Sequence, residues 1–177
     1  MTRDRDVTPG RGADGDFVAF AHAVAPRLRQ TAYLLCQDWH LAQDLTQSAL
    51  VKAYVSWRQV SAAGSPEAYT RTILLRAFLD QRRARASSEV ITPELPTAVS
   101  RPSGSDLRIT LLEALRLLPE RDRTIVVLRY WEDQSVQTVA AALNLPEAVV
   151  KTQSSRALAR LRSVLGPERV ALFCDQT

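Results

Sequence analysis

Residues that carry metal or nucleophilic chemistry are scarce in this chain. Its 177 residues include two cysteines and two histidines. Cys36 and Cys174 have neither CxxC spacing nor a histidine-rich neighbourhood, which excludes the common zinc and dithiol patterns and leaves one buried thiol and one free one. His22 and His40 stand apart, no Ser/His/Asp or paired-carboxylate constellation is evident, and the glycines form no phosphate-cradling loop. No catalytic residues, metal or cofactor are therefore expected. No apolar run approaches the roughly 20 residues a bilayer-spanning helix needs. The stretch Met1 to Asp6 alternates acidic and basic residues where a signal peptide would have an apolar core, so a cytoplasmic protein without membrane insertion is expected. Strand-type alternation and internal repeats are also missing.

What remains is helical. Hydrophobic residues make up 46% of the chain, enough to build cores, and the formal net charge of +4 favours an anionic partner without choosing between nucleic acid and a membrane surface. Apolar positions recur at helical spacing from Phe17 to about Ala86, and again from Leu111 to Leu165. Between them Ser87 to Ser105 brings three prolines and a cluster of serines, which marks a flexible linker. Extended at about 3.1 Å per residue, such a linker spans roughly 60 Å, so the flanking domains need not touch. The expected fold is all-α: two small helical domains at 16–86 and 106–166, joined by a linker at 87–105, with a mobile N-terminus at 1–15 and a tail at 167–177. Val170, Ala171, Leu172 and Phe173 in that tail have no assigned packing partner.

The second domain reads as a helix-turn-helix. Ser135 is a candidate N-cap for a helix carrying Val136, Val139, Ala140 and Leu143. Asn144 suits a left-handed turn, and Pro146 marks the next helix start. Within that next helix Val150, Ala157, Leu158, Leu161 and Leu165 share one side. Glu147, Ala148, Lys151, Thr152, Ser155 and Arg156 share the other, small or polar first and basic later, as suits a helix whose N-terminal turns enter the major groove while Arg156 and Arg160 reach phosphates. From Gln134 to Gly166 four basic residues stand against Glu147 alone, a balance of +3. A solvated basic helix of an ordinary bundle has the same periodicity; the turn, the cap and the one-sided charge favour DNA.

In the first domain Phe17, Phe20, Val24, Leu28, Tyr33 and Leu34 mark one helix, with Pro26 expected to kink or divide it. A second runs from about His40 to Trp57 with Asp44, Gln47 and Lys52 on its polar face. Ser65, Pro66 and Glu67 together form a helix start: a capping hydroxyl, a proline in the first turn and an acid at the positive pole. The helix that follows carries Arg71, Arg76, Arg82, Arg83 and Arg85 against Glu67 and Asp80, again +3, with Trp57, Tyr69 and Phe78 nearby. Rings and cations together suit single-stranded DNA. The same rings also suit the core of a three-helix unit.

These segments carry a family resemblance. Asp44-Leu45-Thr46-Gln47 followed by Ala49 and Leu50 resembles a conserved segment of bacterial RNA polymerase sigma factors, and Pro66 to Leu75 resembles the start of their promoter-melting helix. Leu115 to Asp133 is similar to the lead-in to their fourth conserved region, which the helix-turn-helix completes. The order, the spacing and the lack of a middle domain resemble the extracytoplasmic-function (ECF) group, most of all its small E-type members from actinobacteria. The resemblance implies an alternative sigma factor that binds core RNA polymerase and directs promoter recognition, melting and initiation. It implies polymerase contacts at Leu41, Asp44, Gln47 and Lys52, with Ala49 as a neighbour, on the clamp coiled coil of the largest subunit. A further contact to the polymerase flap, and a linker threading the interior near the RNA exit path, are also implied. Minus-10 DNA would meet Trp57, Tyr69, Arg71, Arg76 and the loop Gln59 to Ser65, and minus-35 DNA would meet Glu147, Ala148, Lys151, Thr152, Ser155 and Arg156. An anti-sigma factor is a further implied partner. The sequence departs from the family at Thr72 and Arg76, where Arg and Asn are common, at Thr138, usually acidic, and at Asn144 and Ala148, where Gly is common. Read from the residues alone, a stand-alone helix-turn-helix operator-binding regulator and a helical interaction protein that does not read DNA remain alternatives.

Overall fold

The computed structural model describes residues 11–87 and 106–167, with side chains described for 14–85 and 111–167. Among the described residues every regular element is a helix. Residues 1–10 of the expected mobile N-terminus, the linker at 88–105 and residues 168–177 of the tail, Cys174 among them, lie outside the described residues.

The N-terminal unit is built on α1 (Arg11–Cys36), α2 (Trp39–Val55), a short α3 (Trp57–Ser61) and α4 (Pro66–Ser87). Helix α1 already runs from Arg11, five residues ahead of the expected domain start, and it passes through Pro26 without dividing. It ends where Gln37 turns left-handed at φ 58°, its backbone N–H donating to the Tyr33 carbonyl at 2.9 Å. Asp38 then caps α2, its Oδ1 accepting from the Leu41 N–H at 3.0 Å. The expected single helix from His40 to Trp57 is instead broken at Ser56, whose backbone N–H bonds back to the carbonyls of Lys52 and Tyr54 before α3 begins. Ser65 caps α4 as expected, its Oγ accepting from the Ala68 N–H at 3.2 Å.

The C-terminal unit comprises α5 (Asp106–Arg116), α6 (Glu120–Val126), a π-helical turn over Val127–Trp131, α7 (Val136–Leu143) and α8 (Glu147–Leu165). The π turn widens the end of α6: the Glu132 N–H reaches the Val127 carbonyl and the Gln134 N–H the Leu128 carbonyl, both at 3.0 Å. Asp133, at φ 46°, then turns the chain toward α7.

The two units are not separate bodies. Helix α1 packs on α6 and on the π turn, and one continuous apolar cluster runs from Leu28 and Leu35 through Leu74 to Leu115, Ile125, Leu128 and Leu161. The linker length permitted separation; buried apolar area on both facing surfaces favours contact, at roughly 25 cal/mol per Å². Polar groups complete the seam. Arg123 Nε donates to the Leu35 carbonyl at 3.1 Å, and burial lowers the pKa of its guanidinium, with Glu120 partly opposing that shift. Arg82 Nε meets Glu120 Oε1 at 3.1 Å. Beside that pair a groove of about 300 Å³ is lined by Leu79, Arg83, Arg121 and Leu143 among others.

Candidate nucleic-acid interface

The last two helices meet through the turn the sequence specifies. Ser135 Oγ accepts from the Thr138 N–H at 3.0 Å, and the two hydroxyls lie 2.8 Å apart, so the Thr138 side chain meets the capping hydroxyl and not the Ser135 backbone N–H that an acidic residue reaches in a capping box. Asn144 is left-handed at φ 54°, ψ 51°, and its N–H bonds back toward Ala141. Pro146 occupies the N-cap of α8, with Glu147 as the first helical residue. Val150, Ala157, Leu158, Leu161 and Leu165 are buried together with Ser154. Glu147, Ala148, Lys151, Thr152, Ser155 and Arg156 are all exposed. Fixed on one side by its core, α8 presents the free N–H groups of its first turn and a face that becomes basic two turns later. Such a face can enter a duplex groove end-on and hold phosphates along its length.

The polar face of α2 presents Asp44, Gln47 and Lys52 to solvent. Leu41 is half-buried against the core and Ala49 is fully buried, so Ala49 cannot touch a partner as the resemblance implied. Two residues absent from the sequence reading stand on the same face: Val51 is 61% exposed and Val55 80%. Exposed valines one helical turn apart beside Gln47 and Lys52 give this face an apolar centre, as protein-docking surfaces have. The signal was present in the sequence, because positions 44, 48, 51 and 55 share one side of a helix while Leu45 and Ala49 take the other.

The residues expected at the opened strand divide into three places. Tyr69 and Arg76 line a cleft of about 480 Å³ between α2 and α4, together with Thr72, Ile73, Asp80, Lys52 of α2 and Ser56 just past its end. Lys52, expected at the polymerase face, thus shares a cavity with the ring of Tyr69. Trp57 sits elsewhere, edge-on to Phe17 at 5.2 Å between ring centroids and tilted on Phe20 at 5.0 Å. Tyr54 joins that cluster, and its hydroxyl donates to Asp14 Oδ1 at 2.9 Å, a hydrogen bond that raises the phenol pKa. Phe78 is core. Arg71 faces the other unit, where its Nη1 donates to Glu132 Oε2 at 3.1 Å. Among the described residues no group of three His, Cys, Asp or Glu side chains is placed to hold a metal ion, and no helix is long and apolar enough to cross a membrane.

Comparison with known proteins accounts for both halves of this arrangement. The family profile of Sigma-70 region 2 matches residues 20–88, and that of Sigma-70, region 4, matches residues 108–161. The RNA polymerase sigma-E factor of Streptomyces antibioticus is 37% identical over 160 residues, covering 86% of this chain and 88% of the relative. The chain belongs to the sigma-70 family, in its ECF branch. The sigma-E factor of Streptomyces coelicolor is 36% identical, covering 85% of this chain and 88% of the relative. The ECF RNA polymerase sigma factor SigW of Bacillus subtilis is 26% identical, covering 85% and 91%. Among solved structures, the sigma factor RpoE of Bartonella quintana, in complex with the anti-sigma factor NepR, superposes with a TM-score of 0.64 at 28% identity, covering 86% of this chain and 98% of that one. The ECF sigma factor is thus an alternative initiation factor that acts with core RNA polymerase at promoters, and neither the stand-alone regulator nor the interaction protein without DNA reading finds support.

Proposed function

We propose that the three exposed surfaces divide the work of initiation. The face of α2 with Asp44, Gln47, Val51 and Val55 docks on the clamp coiled coil of core polymerase. The cleft between α2 and α4, with Lys52, Tyr69 and Arg76, holds the opened minus-10 strand, a base against the ring and phosphates near the cations. The N-terminal turns of α8 read the minus-35 duplex, and the C-terminal unit meets the flap. Arg71 serves the strand once it is released from Glu132, and Trp57 stabilises α3 and so sets the position of the loop Gln59 to Ser65. The observation that carries this reading is α8: all six groove-facing residues named from the sequence are exposed, while Val150, Ala157, Leu158, Leu161 and Leu165 on its other side are buried.

Strand separation then draws on binding alone, since each base stacked on an aromatic ring contributes about 1–3 kcal/mol. No catalytic step is assigned to this subunit, and cytoplasmic localisation follows from that role. An anti-sigma factor is a further partner, by likeness to the RpoE complex. The groove lined by Arg83, Arg121, Leu79 and Leu143 suits an acidic amphipathic segment of such a partner.

The docking surface is tested by replacing Asp44 and Gln47 with Ala together. The variant should keep its helical content and melting temperature, because both side chains are exposed, and lose core polymerase in co-purification and in a titration by fluorescence anisotropy. Full-strength binding by the folded variant would remove α2 as the docking face.

A further inference from the structure

Four rings at the margin of the core grip the chain where α2 gives way to α3. From Asp14 to Ala23 helix α1 has no fully buried residue, and its share of the buried core begins at Val24. The side chains ahead of Val24 meet the bend instead. Between ring centroids, Phe17 lies 5.0 Å from Tyr54 and 5.2 Å from Trp57, and Phe20 lies 5.0 Å from Trp57. Asp14, one turn before Phe17, accepts a hydrogen bond from the Tyr54 hydroxyl at 2.9 Å through Oδ1. Tyr54 precedes the break at Ser56 and Trp57 follows it, so the single ring of Phe17 holds both arms of the bend.

The bend also borders the cleft assigned to the minus-10 strand. Ser56 lines that cleft with Lys52, Tyr69 and Arg76. Its carbonyl accepts from the Gln59 and Val60 N–H groups at 2.8 and 3.0 Å, which ties the start of the loop Gln59 to Ser65 to the bend. Val60 is fully buried, so α3 has one anchor in the core and a second in Trp57. Two anchors fix an orientation where one leaves a pivot.

We propose that Phe17 and Asp14 are positioning residues for minus-10 selectivity: from outside the cleft they set the bend at Ser56, and with it the stance of the loop against the strand. The proposal rests on the assignment of cleft and loop to the minus-10 strand given above. Neither side chain lines the cleft, so both act through Tyr54 and Trp57. Edge-on and tilted ring contacts suit the task, because their attraction depends on ring orientation. A base-reading contact needs its groups held within about 0.5 Å, which packing behind the site supplies.

The test uses the full chain, saturating core polymerase and a set of promoter fragments in which each minus-10 position carries each of the four bases in turn. The rate of opening is read from a fluorophore placed downstream of the element, so that every fragment reports alike. Wild type should prefer one base at one or more positions. Phe17→Leu, which keeps an apolar side chain and removes the ring, should reduce that preference about three- to tenfold, the scale of one lost aromatic pair, with unchanged affinity for minus-35 duplex. Tyr54→Phe and Asp14→Ala should move in the same direction. Asp14→Asn should restore the wild-type profile, because an amide oxygen accepts from the Tyr54 hydroxyl as the carboxylate does. If circular dichroism shows that Phe17→Leu does not fold, Tyr54→Phe, which removes one hydrogen bond and no ring, is read instead. A fall in opening by one common factor on all fragments marks a merely structural cluster and overturns the proposal. An unchanged profile in the folded variants, or a wild type without preference, does the same. Tyr69→Ala tests the underlying reading by itself: loss of opening there with no change for Phe17→Leu removes the positioning role alone, whereas normal opening by Tyr69→Ala removes the cleft assignment and the proposal with it.

Discussion

Lys151 and Arg156 sit on the same exposed side of α8, yet they are expected to do different things. Lys151 lies within the first two turns, where a helix approaches base edges, and Arg156 lies beyond them, beside the backbone. Lys151→Ala should weaken a specific minus-35 duplex by about 1–3 kcal/mol and leave random duplex little changed. Arg156→Ala should weaken all duplexes alike and reduce the salt slope of binding by about one. Anisotropy titrations over a series of salt concentrations separate the two; identical slopes and affinities would remove both assignments. Cys36 is a free thiol, partly buried against the core. Burial is the main cause that pushes its thiol from about 9 up to about 11, so the folded state favours the protonated form. At pH 7 the thiol is protonated in both states and contributes no pH dependence. As pH rises above about 9 the unfolded chain ionises first, and stability is lost until the folded thiol ionises as well. Denaturant melts at pH 7 and 10.5 should therefore show wild type losing more stability than Cys36→Ala; equal losses would contradict the shift.

At the scale of elements, the helix-turn-helix stands on its caps. Ser135→Ala should cost about 1 kcal/mol, since the first turn of α7 loses the acceptor for the Thr138 N–H. Thr138→Glu should recover part of that turn's stability by completing the reciprocal bond, and thermal melts of the two variants should move in opposite directions. A fall in melting temperature for both would mean that the Ser135 and Thr138 hydroxyl pair is already the better arrangement. These caps were legible in the sequence because capping is local: Ser135, Asn144, Ser65 and Pro66 act within four residues of themselves. The two faces of α8 were legible for a similar reason, a period of 3.6 residues sustained over five turns. The break at Ser56 was not, because nothing in Tyr54 to Trp57 opposes a helix; in the structure Trp57, just past the break, packs on Phe17 and Phe20 of another helix. Pro26 does not divide α1, since a helix held on several sides tolerates the one backbone bond a proline removes.

For the molecule as a whole, the main difference from the sequence reading lies at the seam. The linker composition suggested two independent units, and the structure joins them through Thr31, Arg71, Arg123 and Glu132. Thr31 and Glu132 are 101 residues apart, and no periodicity or capping rule extends across such a separation. Arg71 was named from sequence as a strand contact, which explained its charge but not its position; Lys52 was named as a polymerase contact and shares the cleft of Tyr69 and Arg76. Both differences come from tertiary packing, which decides what a helical face meets after local rules have decided that it is a face. The measurement that bears most directly on the whole arrangement is permanganate footprinting of promoter fragments with core polymerase, with and without the purified chain. Reactive thymines should appear near minus-10 only when chain and core are both present, with duplex protection at minus-35 on the same fragments. A specific footprint by the chain alone, with no association with core and no reactive thymines when core is added, would contradict it.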